Sequence, residues 1–473
     1  MKKAPVHKKL VATWTLALLL FVPLAPLSAQ FNWLGADPGD WEDGENWDRG
    51  SVPVGSEVFV GSGEAQISSA VPSPVGFNIS GTGVVTVLSG GTLTASPGGN
   101  WVVGRFGGST GTLNVEEGAL VEVVEFVRLT VGPGGSAGGT INQSGGEVIV
   151  NDVFLVGDRS GGVGFYNISG GHLRHQTSGE FRVGLLDPAY GTFTISGDEA
   201  VMENESLASG TLVEATRGIE IGREGEGNLV QTGGTLIVTG GVMNLSTIST
   251  GKGEVTVSGG SFQIPENTLR VNAGIGIFRV DGSGASQIVI GDNMEFGRSD
   301  TEATVAVNFD AGGSTLIDVA NEADLSDATL EAGVLAGFDG NVGDTYDVLT
   351  AANIDTEGLE LVNTSGYEFS LTTVEEGNGE LLRLTLENVP DPKPEIRVVA
   401  SDFTRPLPER LRIDFTSPFS AGAHLIQKTE TLDPNDWGAE QQVQWEVLGN
   451  RQFRATVPMP DDPKVFYRVV VEE

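Results

Sequence analysis

The chain has no cysteine, and histidine is scarce among its 473 residues. Without cysteine there are no disulfide bonds, so a chain of this length, sufficient for two or three domains, relies on other means of stabilisation. Only His172, His175 and His424 lie beyond residue 29, which argues against a zinc site with histidine ligands.

Positive charge is also scarce, and the formal net charge is −36. Removing the first 29 residues, which carry four lysines, makes the charge −40 and leaves Lys252, Lys393, Lys428 and Lys464. Such a surface repels nucleic acid and anionic lipid, so we expect no nucleic-acid partner. It favours solubility and neutral or basic partners.

The chain has one long apolar run, TWTLALLLFVPLAPL at positions 13–27. It follows Lys2, Lys3, Lys8 and Lys9. A basic start, an apolar stretch too short to favour a membrane span, and the small residues Ser28 and Ala29 are typical of a signal peptide. We therefore predict export, with cleavage after Ala29; a retained anchor helix is the alternative. No later segment is apolar enough to span a membrane.

Glycine, by contrast, occurs 68 times, about double the average usage of roughly 7%. Short strands that end in an SGG-like turn recur as VTVLSGG (85–91), INQSGG (141–146), YNISGG (166–171), FTISGD (193–198), LVQTGG (229–234) and VTVSGG (255–260). Each is followed by a second strand and then by a third that ends near a glycine. The units open at Gly83, Gly111, Gly139, Gly164, Gly191, Gly227, Gly253 and Gly276, in steps of 28, 28, 25, 27, 36, 26 and 23 residues.

This period predicts an all-β fold, a right-handed parallel β-solenoid in which each unit forms one coil. A propeller blade needs about 40 to 45 residues, which exceeds the period. Alternating apolar and small polar residues predict strands with one buried face, and corner glycines supply positive φ. The step of 36 residues contains an acidic insertion at 198–218, which is either a specific contact surface or a neutral loop extension.

The segment before the repeats is acidic and contains Trp33, Trp41 and Trp47. An open first coil would expose strand edges, so we expect these tryptophans to cap it, with sugar stacking as the alternative. The pattern Asn32-Trp33, Trp41, Asn46-Trp47 and Val52-Pro53, followed by GTL, SGG and VG repeats, resembles exported bacterial β-helix proteins with autotransporter-associated β-strand repeats.

The segment FDGNVGDTYDVLTA (338–351) is similar to the phrase that closes such solenoids, and the resemblance extends to relatives that carry a Pro-Glu-Pro sorting signal. It covers most of residues 31–388 and implies a secreted or surface protein, adhesive or structural, without shared catalytic residues. The chain departs from these families because it lacks both a C-terminal membrane barrel and the terminal sorting motif. Six short strands around Trp445 instead predict an Ig-like or fibronectin-like sandwich.

Catalytic and metal motifs are weak. G-x-S-x-G occurs at 107–111 and 134–138, but no helical pattern follows either copy, so we reject a nucleophile elbow. His172 and His175 are three apart on a strand and would point to opposite faces. Carboxylates cluster at 37–48, and also at Asp339, Asp344 and Asp347, which leaves structural calcium open, although no cofactor is expected.

A polysaccharide lyase or hydrolase is the alternative function, since it would need carboxylates on neighbouring coils. Asp158, Arg159, Arg105, Arg223 and Arg298 would supply parts of such a site, but arginines that recur with the repeat also indicate pairing with acidic neighbours. We expect a noncatalytic, secreted or cell-surface scaffold that contacts an extracellular glycan or surface protein, and we assign no catalytic, cofactor or metal residues.

These inferences divide the chain into a signal peptide (1–29), a tryptophan-rich cap with the first strands (30–80), solenoid repeats (81–300), a closing β segment (301–388), a Pro-rich linker (389–395) and a small sandwich (396–473).

We predict that the exported chain begins at Gln30. N-terminal sequencing of protein secreted by a bacterial host measures this directly, and Ala29→Leu is expected to block the cut because a bulky side chain replaces the small residue that precedes it. An uncleaved wild-type chain that sediments with membranes would instead support the anchor helix.

Overall fold

The computed structural model describes residues 30–389 except 36, 177–178, 199–200, 204–205, 298–300 and 378. Beyond residue 389 it describes only seven strands between residues 395 and 471. The chain divides between Glu387 and Asn388 into two compact units. The predicted signal peptide, residues 1–29, lies outside the described residues. Within the described part of the chain, no helix has the length and apolar character needed to cross a membrane.

The first unit is a parallel β-solenoid of about twelve coils, most of which contribute strands to three faces that we call A, B and C. Face A is a sheet of thirteen parallel strands. They are Gln30–Asn32, Glu57–Val60, Gly76–Ile79, Asn100–Val103, Arg128–Val131, Phe154–Val156, Phe181–Val183, Ile219–Ile221, Met243–Leu245, Leu269–Val271, Met294–Glu295, Glu322–Asp324 and Asn353–Asp355.

Face B follows face A in every coil. Its strands are Gly39–Asp40, Glu64–Ile67, Val84–Val87, Thr110–Val115, Gly138–Gln143, Val163–Ile168, Tyr190–Ile195, the first part of Glu226–Val238, the first part of Lys252–Ile264, Gly274–Asp281, Thr301–Phe309, Thr329–Val334 and Glu360–Asn363.

Face C completes each coil. Its strands are Thr92–Thr94, Leu120–Val123, Glu147–Val150, Gly171–His175, Thr211–Ala215, the second parts of Glu226–Val238 and Lys252–Ile264, Ala285–Ile290, Ile317–Val319 and Thr345–Ala351. One described helix, the 3₁₀ turn Gly44–Asn46, interrupts the first coils.

The parallel solenoid confirms the prediction made from the glycine period. The unit-opening glycines are Cα partners on successive strands of face B, in the order Gly111, Gly139, Gly164, Gly191, Gly227, Gly253 and Gly276. The solenoid also extends beyond the eight repeats, since face A includes coils before residue 80 and after residue 300. Its right-handedness stays a prediction.

Corner glycines have two different roles, as Gly157 and Gly191 on successive coils show. Gly157, which follows a face A strand, has φ of 73°, as expected for a residue that bends the chain into the next side. Gly191, which opens a unit on face B, has no positive φ; a Cβ at this position would collide with the carbonyl oxygen of Val156. Glycine is therefore needed at position 191 because two backbone segments approach each other closely there.

The interior is filled by alternate side chains of all three faces. Aromatic residues stack from coil to coil: Phe77 and Trp101 have ring centroids 4.8 Å apart, and Phe154 and Phe181 repeat that distance. All four side chains are at most 1% exposed. Burying a large side chain stabilises a fold by about 1.5 to 3 kcal/mol, so these stacks hold neighbouring coils together.

The tryptophan cap is confirmed. Trp33, Trp41 and Trp47 are at most 5% exposed, and Trp47 packs edge-on against Trp33 at 5.0 Å and against Trp41 at 4.7 Å. Trp47 Nε1 donates to the Trp41 carbonyl oxygen over 2.9 Å. Buried in this way, the three rings close the first coil, and Trp33 also lines a surface depression described below.

The other end of the solenoid is closed by an antiparallel strand. Gly379–Asn388 pairs with Thr345–Ala351, the last strand of face C, and thereby covers its free edge. Phe309 packs at 4.7 Å from Tyr346 and 5.2 Å from Phe369, and this cluster fills the last coils. The segment at 338–351 thus contains the last strand of face C, which the strand Gly379–Asn388 covers.

The 198–218 insertion contains a short antiparallel hairpin, Val201–Glu203 with Ser206–Ser209. It leaves face B at Ile195 and the chain rejoins face C at Thr211. Residues 199–200 and 204–205 of the predicted contact surface lie outside the described residues.

The seven strands that the structure describes in the second unit form two antiparallel sheets. One has the order Glu395–Arg397, Arg410–Thr416, Gln452–Pro458 and Gln444–Gly449; the other has Gly438–Ala439, His424–Thr429 and Phe466–Val471. The unit is thus β-structured, and its identity as an Ig-like sandwich stays a prediction.

We predict that Gly191→Ala destabilises the solenoid by about 1 to 3 kcal/mol, because the added methyl group meets backbone that cannot move independently. Urea unfolding measures the change. Gly61→Ala is the matched control, since a Cβ there has only the Ser80 hydroxyl oxygen nearby, at 3.8 Å, and we expect a change within about 0.5 kcal/mol. Equal effects at the two positions would contradict the close-approach explanation.

Candidate functional site

A groove lies on the outer surface of face A over its early coils. It consists of two adjoining depressions of about 420 and 510 Å³, which share Glu57 and Arg105. We call it the face A groove. Its other polar and aromatic lining residues include Asn32, Phe59, Asn78, Asn100 and Phe106.

The strand register explains why these side chains meet. One outward row of face A is formed by successive Cα partners, namely Asn32, Phe59, Asn78 and Val102. Glu57 lies two residues before Phe59 on the same strand and therefore points to the same side. The corner glycine Gly104, with φ of 84°, then turns the chain so that Arg105 and Phe106 reach the groove.

Arg105 and Glu57 form an ion pair in the groove, with Nη1 2.6 Å from Oε1. The Arg105 guanidinium also lies 5.0 Å from the ring centroid of Phe59 and 5.5 Å from that of Phe106. The two rings are parallel to within 8° at 6.4 Å. The side chains of the ion pair are 36% and 34% exposed, so it adds at most about 1 kcal/mol to stability. Its main effect is to order one flat wall of the groove.

Asn78 has an unsatisfied acceptor in this groove. The residue is 1% exposed, and its Nδ2 donates to Glu57 Oε1 over 3.2 Å and to the Val58 carbonyl oxygen over 3.3 Å. These two bonds fix the orientation of the amide, yet Oδ1 accepts no hydrogen bond from any described protein group. A buried acceptor without a partner costs about 1 to 3 kcal/mol. Oδ1 is itself covered by protein atoms, so a ligand hydroxyl would supply the missing donor only after a neighbouring side chain moved.

Asp158 lies in a corner, directly after Gly157, and is 4% exposed. Its Oδ2 is 3.5 Å from Arg159 Nε, and the charges of Arg128 and Arg182 also act on it. Burial raises the pKa of Asp158 above its ordinary value, while the three arginines oppose that shift. Asp158 is not among the residues that line the face A groove.

The recurring arginines pair with acidic neighbours, as predicted. Arg223 follows the corner glycine Gly222 as Arg105 follows Gly104, and Arg223 Nη1 is 3.8 Å from Glu220 Oε2. Of this set, Arg105 alone lines the groove. Arg298 lies outside the described residues.

A further depression of about 270 Å³ lies over late coils of face A and is lined by Glu295, Glu322 and Asp324. Glu295 and Asp324 are register partners, so carboxylates do occur on neighbouring coils, as a polysaccharide-cleaving site would require. Sequence reasoning did not identify this pair. Asp324 Oδ1 already accepts hydrogen bonds from the backbone N–H and the hydroxyl of Ser326.

The two histidines on face C point to opposite sides, as predicted. His172 Nε2 is 2.7 Å from Glu214 Oε2 near the surface, and this hydrogen bond lowers the pKa of Glu214. His175 is fully buried, with Nε2 2.9 Å from the Asp152 carbonyl oxygen. The two imidazoles therefore do not converge on one ion.

The first G-x-S-x-G motif forms a corner. Ser109 is 3% exposed, and its Oγ accepts a hydrogen bond from the Gly81 backbone N–H over 2.9 Å. The motif leads into the strand Thr110–Val115, which contradicts a nucleophile elbow and confirms its rejection.

The acidic segments considered for calcium use their carboxylates locally. Asp48 accepts hydrogen bonds from the backbone and side chain of Asn32, and Asp43 caps the 3₁₀ turn. Asp344 accepts from the Asn341 backbone N–H, while Asp347 pairs with Arg383 at 2.6 Å. Among the residues that the structure describes, no group of three acidic, histidine or cysteine side chains is placed to hold a metal ion.

Comparison with known proteins adds no assignment: neither the protein-family models nor the curated proteins give a match to this chain. The function of the chain is therefore inferred from the geometry of the face A groove.

Glu57, Asn78 and Phe106 were missed in the sequence. That Glu57 and Asn78 lie on the same side of face A becomes visible only when the strands at 57–60, 76–79 and 100–103 are aligned, and Phe106 lies in the corner after the last of these strands. Those strands precede or begin the glycine repeat, and partners Val58 and Phe77 are only 19 residues apart. The repeat spacing therefore gave no register for them.

We predict that Asp158→Asn makes stability less dependent on pH. Burial raises the pKa of Asp158 in the folded state, so ionisation of this side chain opposes folding. The resulting loss of stability develops as pH rises from the pKa in the unfolded chain, about 3.9, to the higher pKa in the folded chain. The free energy of unfolding of Asp158→Asn, compared with that of wild type at the same pH, should therefore be higher at pH 7 than at pH 3. Urea unfolding at both pH values tests this. If the variant loses more stability relative to wild type at pH 7 than at pH 3, pairing with arginine outweighs burial.

Proposed function

We propose that this chain is a noncatalytic binding scaffold that holds a glycan chain in the face A groove. The observation that carries the proposal is the buried Asn78 amide: the residue lines the groove, and its oriented Oδ1 has no hydrogen-bond donor among the described residues. Sugar hydroxyls are donors of the required kind.

The walls of the groove also suit a sugar. Apolar C–H faces of a pyranose ring pack against flat aromatic surfaces, and the Phe59–Phe106 pair offers one, with Phe106 53% exposed. Ligand sites typically combine apolar lining with a few fixed polar groups. Here Asn78, Asn100 and the Arg105–Glu57 pair supply the fixed polar groups.

Export to the cell surface or medium is part of the proposal. It is supported by the predicted signal peptide at 1–29 and by the resemblance to exported β-helix proteins. The net charge of −36 keeps the chain soluble and disfavours polyanionic partners. A rigid solenoid that bears one glycan groove would then act as a surface or extracellular scaffold.

Binding is favoured over cleavage by the composition of the groove. Glycoside hydrolysis generally uses two carboxyl groups, whereas Glu57 is the one carboxylate among the described residues that line the groove. Glu57 is also held in an ion pair with Arg105. A catalytic alternative would have to use the Glu295–Asp324 pair.

Phe106→Ser is expected to weaken glycan binding about tenfold, because it removes the exposed half of the aromatic wall. The experiment incubates residues 30–473 with a panel of neutral and acidic polysaccharides and measures pull-down and newly formed reducing or unsaturated ends in the same tubes. Val342→Ser, at a 63% exposed position in the closing segment, is the matched control and should bind like wild type.

Three outcomes would contradict the proposal. New ends would show catalysis and direct mutagenesis to Glu295 and Asp324. No retention of any glycan would exclude the glycan assignment and leave a protein partner. Equal weakening by Phe106→Ser and Val342→Ser would show that the groove is not the binding surface.

A further inference from the structure

Arg128 extends the outer surface of face A beyond the groove with an available positive charge. It begins the strand Arg128–Val131 and is the register partner of Asn100, which lines the groove. Leu129 and Val131 are buried, so the alternate residue Arg128 points outward. Unlike Arg105, it forms no ion pair within 4.0 Å among the described residues, although its charge acts on Asp158.

Phe126 has an unusual backbone at the same edge. Its φ is 64°, a region that aromatic residues rarely adopt and that costs about 1 to 3 kcal/mol, and its side chain is 79% exposed. Phe126 precedes Arg128 by two residues, as Gly98 precedes Asn100. Gly98 and Asn100 both line the groove, and Phe126 lies two residues before Arg128, the register partner of Asn100 one coil further along.

Exposed aromatic rings therefore lie at both ends of the strands of face A near the groove. Phe106 follows the strand at 100–103, and Phe126 precedes the strand at 128–131. A four-residue strand spans about 13 Å, so the distance between the two edges suits a short stretch of linear oligosaccharide. Asn78 lies between these edges on the outer row of face A.

Resting on the proposed glycan-binding function, we infer that the face A groove selects a linear glycan that carries an isolated carboxylate, as in a single uronic acid residue. Arg128 binds the carboxylate with its guanidinium, and Phe126 packs against the sugar ring that bears it. A planar guanidinium matches a carboxylate in a bidentate arrangement, whereas the amides of Asn78 and Asn100 match hydroxyl groups.

The charge distribution limits how acidic this glycan is. At physiological ionic strength interactions between exposed charges are screened over about 8 Å, so Arg128 attracts a carboxylate bound next to it. A polyuronate would place further carboxylates near the rest of a chain with a net charge of −36. The groove therefore favours sparse carboxylates over a continuous polyanion.

The test uses an array of linear oligosaccharides in matched pairs, each neutral member having a counterpart with one uronic acid residue, and a polyuronate for comparison. Wild-type protein is expected to bind the uronate member of its best pair about tenfold more tightly than the neutral member. Arg128→Gln should reduce this preference to less than twofold and leave affinity for the neutral member unchanged. Arg383→Gln, in the closing segment, removes the same charge elsewhere and should retain the preference.

The outcomes separate this inference from the proposed function. Equal affinity of wild type for both members, or a preference that survives Arg128→Gln, overturns carboxylate selection while glycan binding stands. Tightest binding to the polyuronate overturns the selection of sparse charge. A failure of wild type to bind any member of the array overturns the glycan function and this inference together.

Discussion

The close approach of backbone between neighbouring coils is the constraint on which the rest of this structure depends. Each coil donates and accepts backbone hydrogen bonds with the next, and the two corner glycines allow the coils to approach closely enough. Once Gly164 and Gly191 are in register, every side chain on the same strands has a fixed partner one coil away. Rows of aligned side chains, inside and outside, follow from this one condition.

The same geometry produces the groove. Regular rows on the outside of a solenoid give a nearly flat surface, and a concave site arises only where the corners add bulk. Arg105 and Phe106 provide that bulk next to Glu57 and Phe59. The groove therefore combines the precise spacing of a sheet with the variable side chains of corners, and its position on rigid strands limits the reorganisation that binding requires.

The fold was largely predictable from sequence because glycine is required at fixed places in each coil, which makes the period visible. Burial of Trp41 and Trp47 was also predictable, since a first coil needs a cover. The site was not. Glu57 and Arg105 are 48 residues apart, and their contact depends on the reach of a long side chain. The free acceptor of Asn78 depends on hydrogen-bond geometry, which no spacing in the sequence records.

The hairpin at 201–209 lengthens one coil without changing the strand pairing on either side of it. The coil that contains it is longer than its neighbours, yet Ile195 still pairs with Gln231, and Leu212 with Thr235. A corner between faces B and C thus accepts extra residues without disturbing either adjoining sheet. In evolution such a corner can gain, lose or exchange segments while the scaffold stays constant, so new surface features can arise without a new fold.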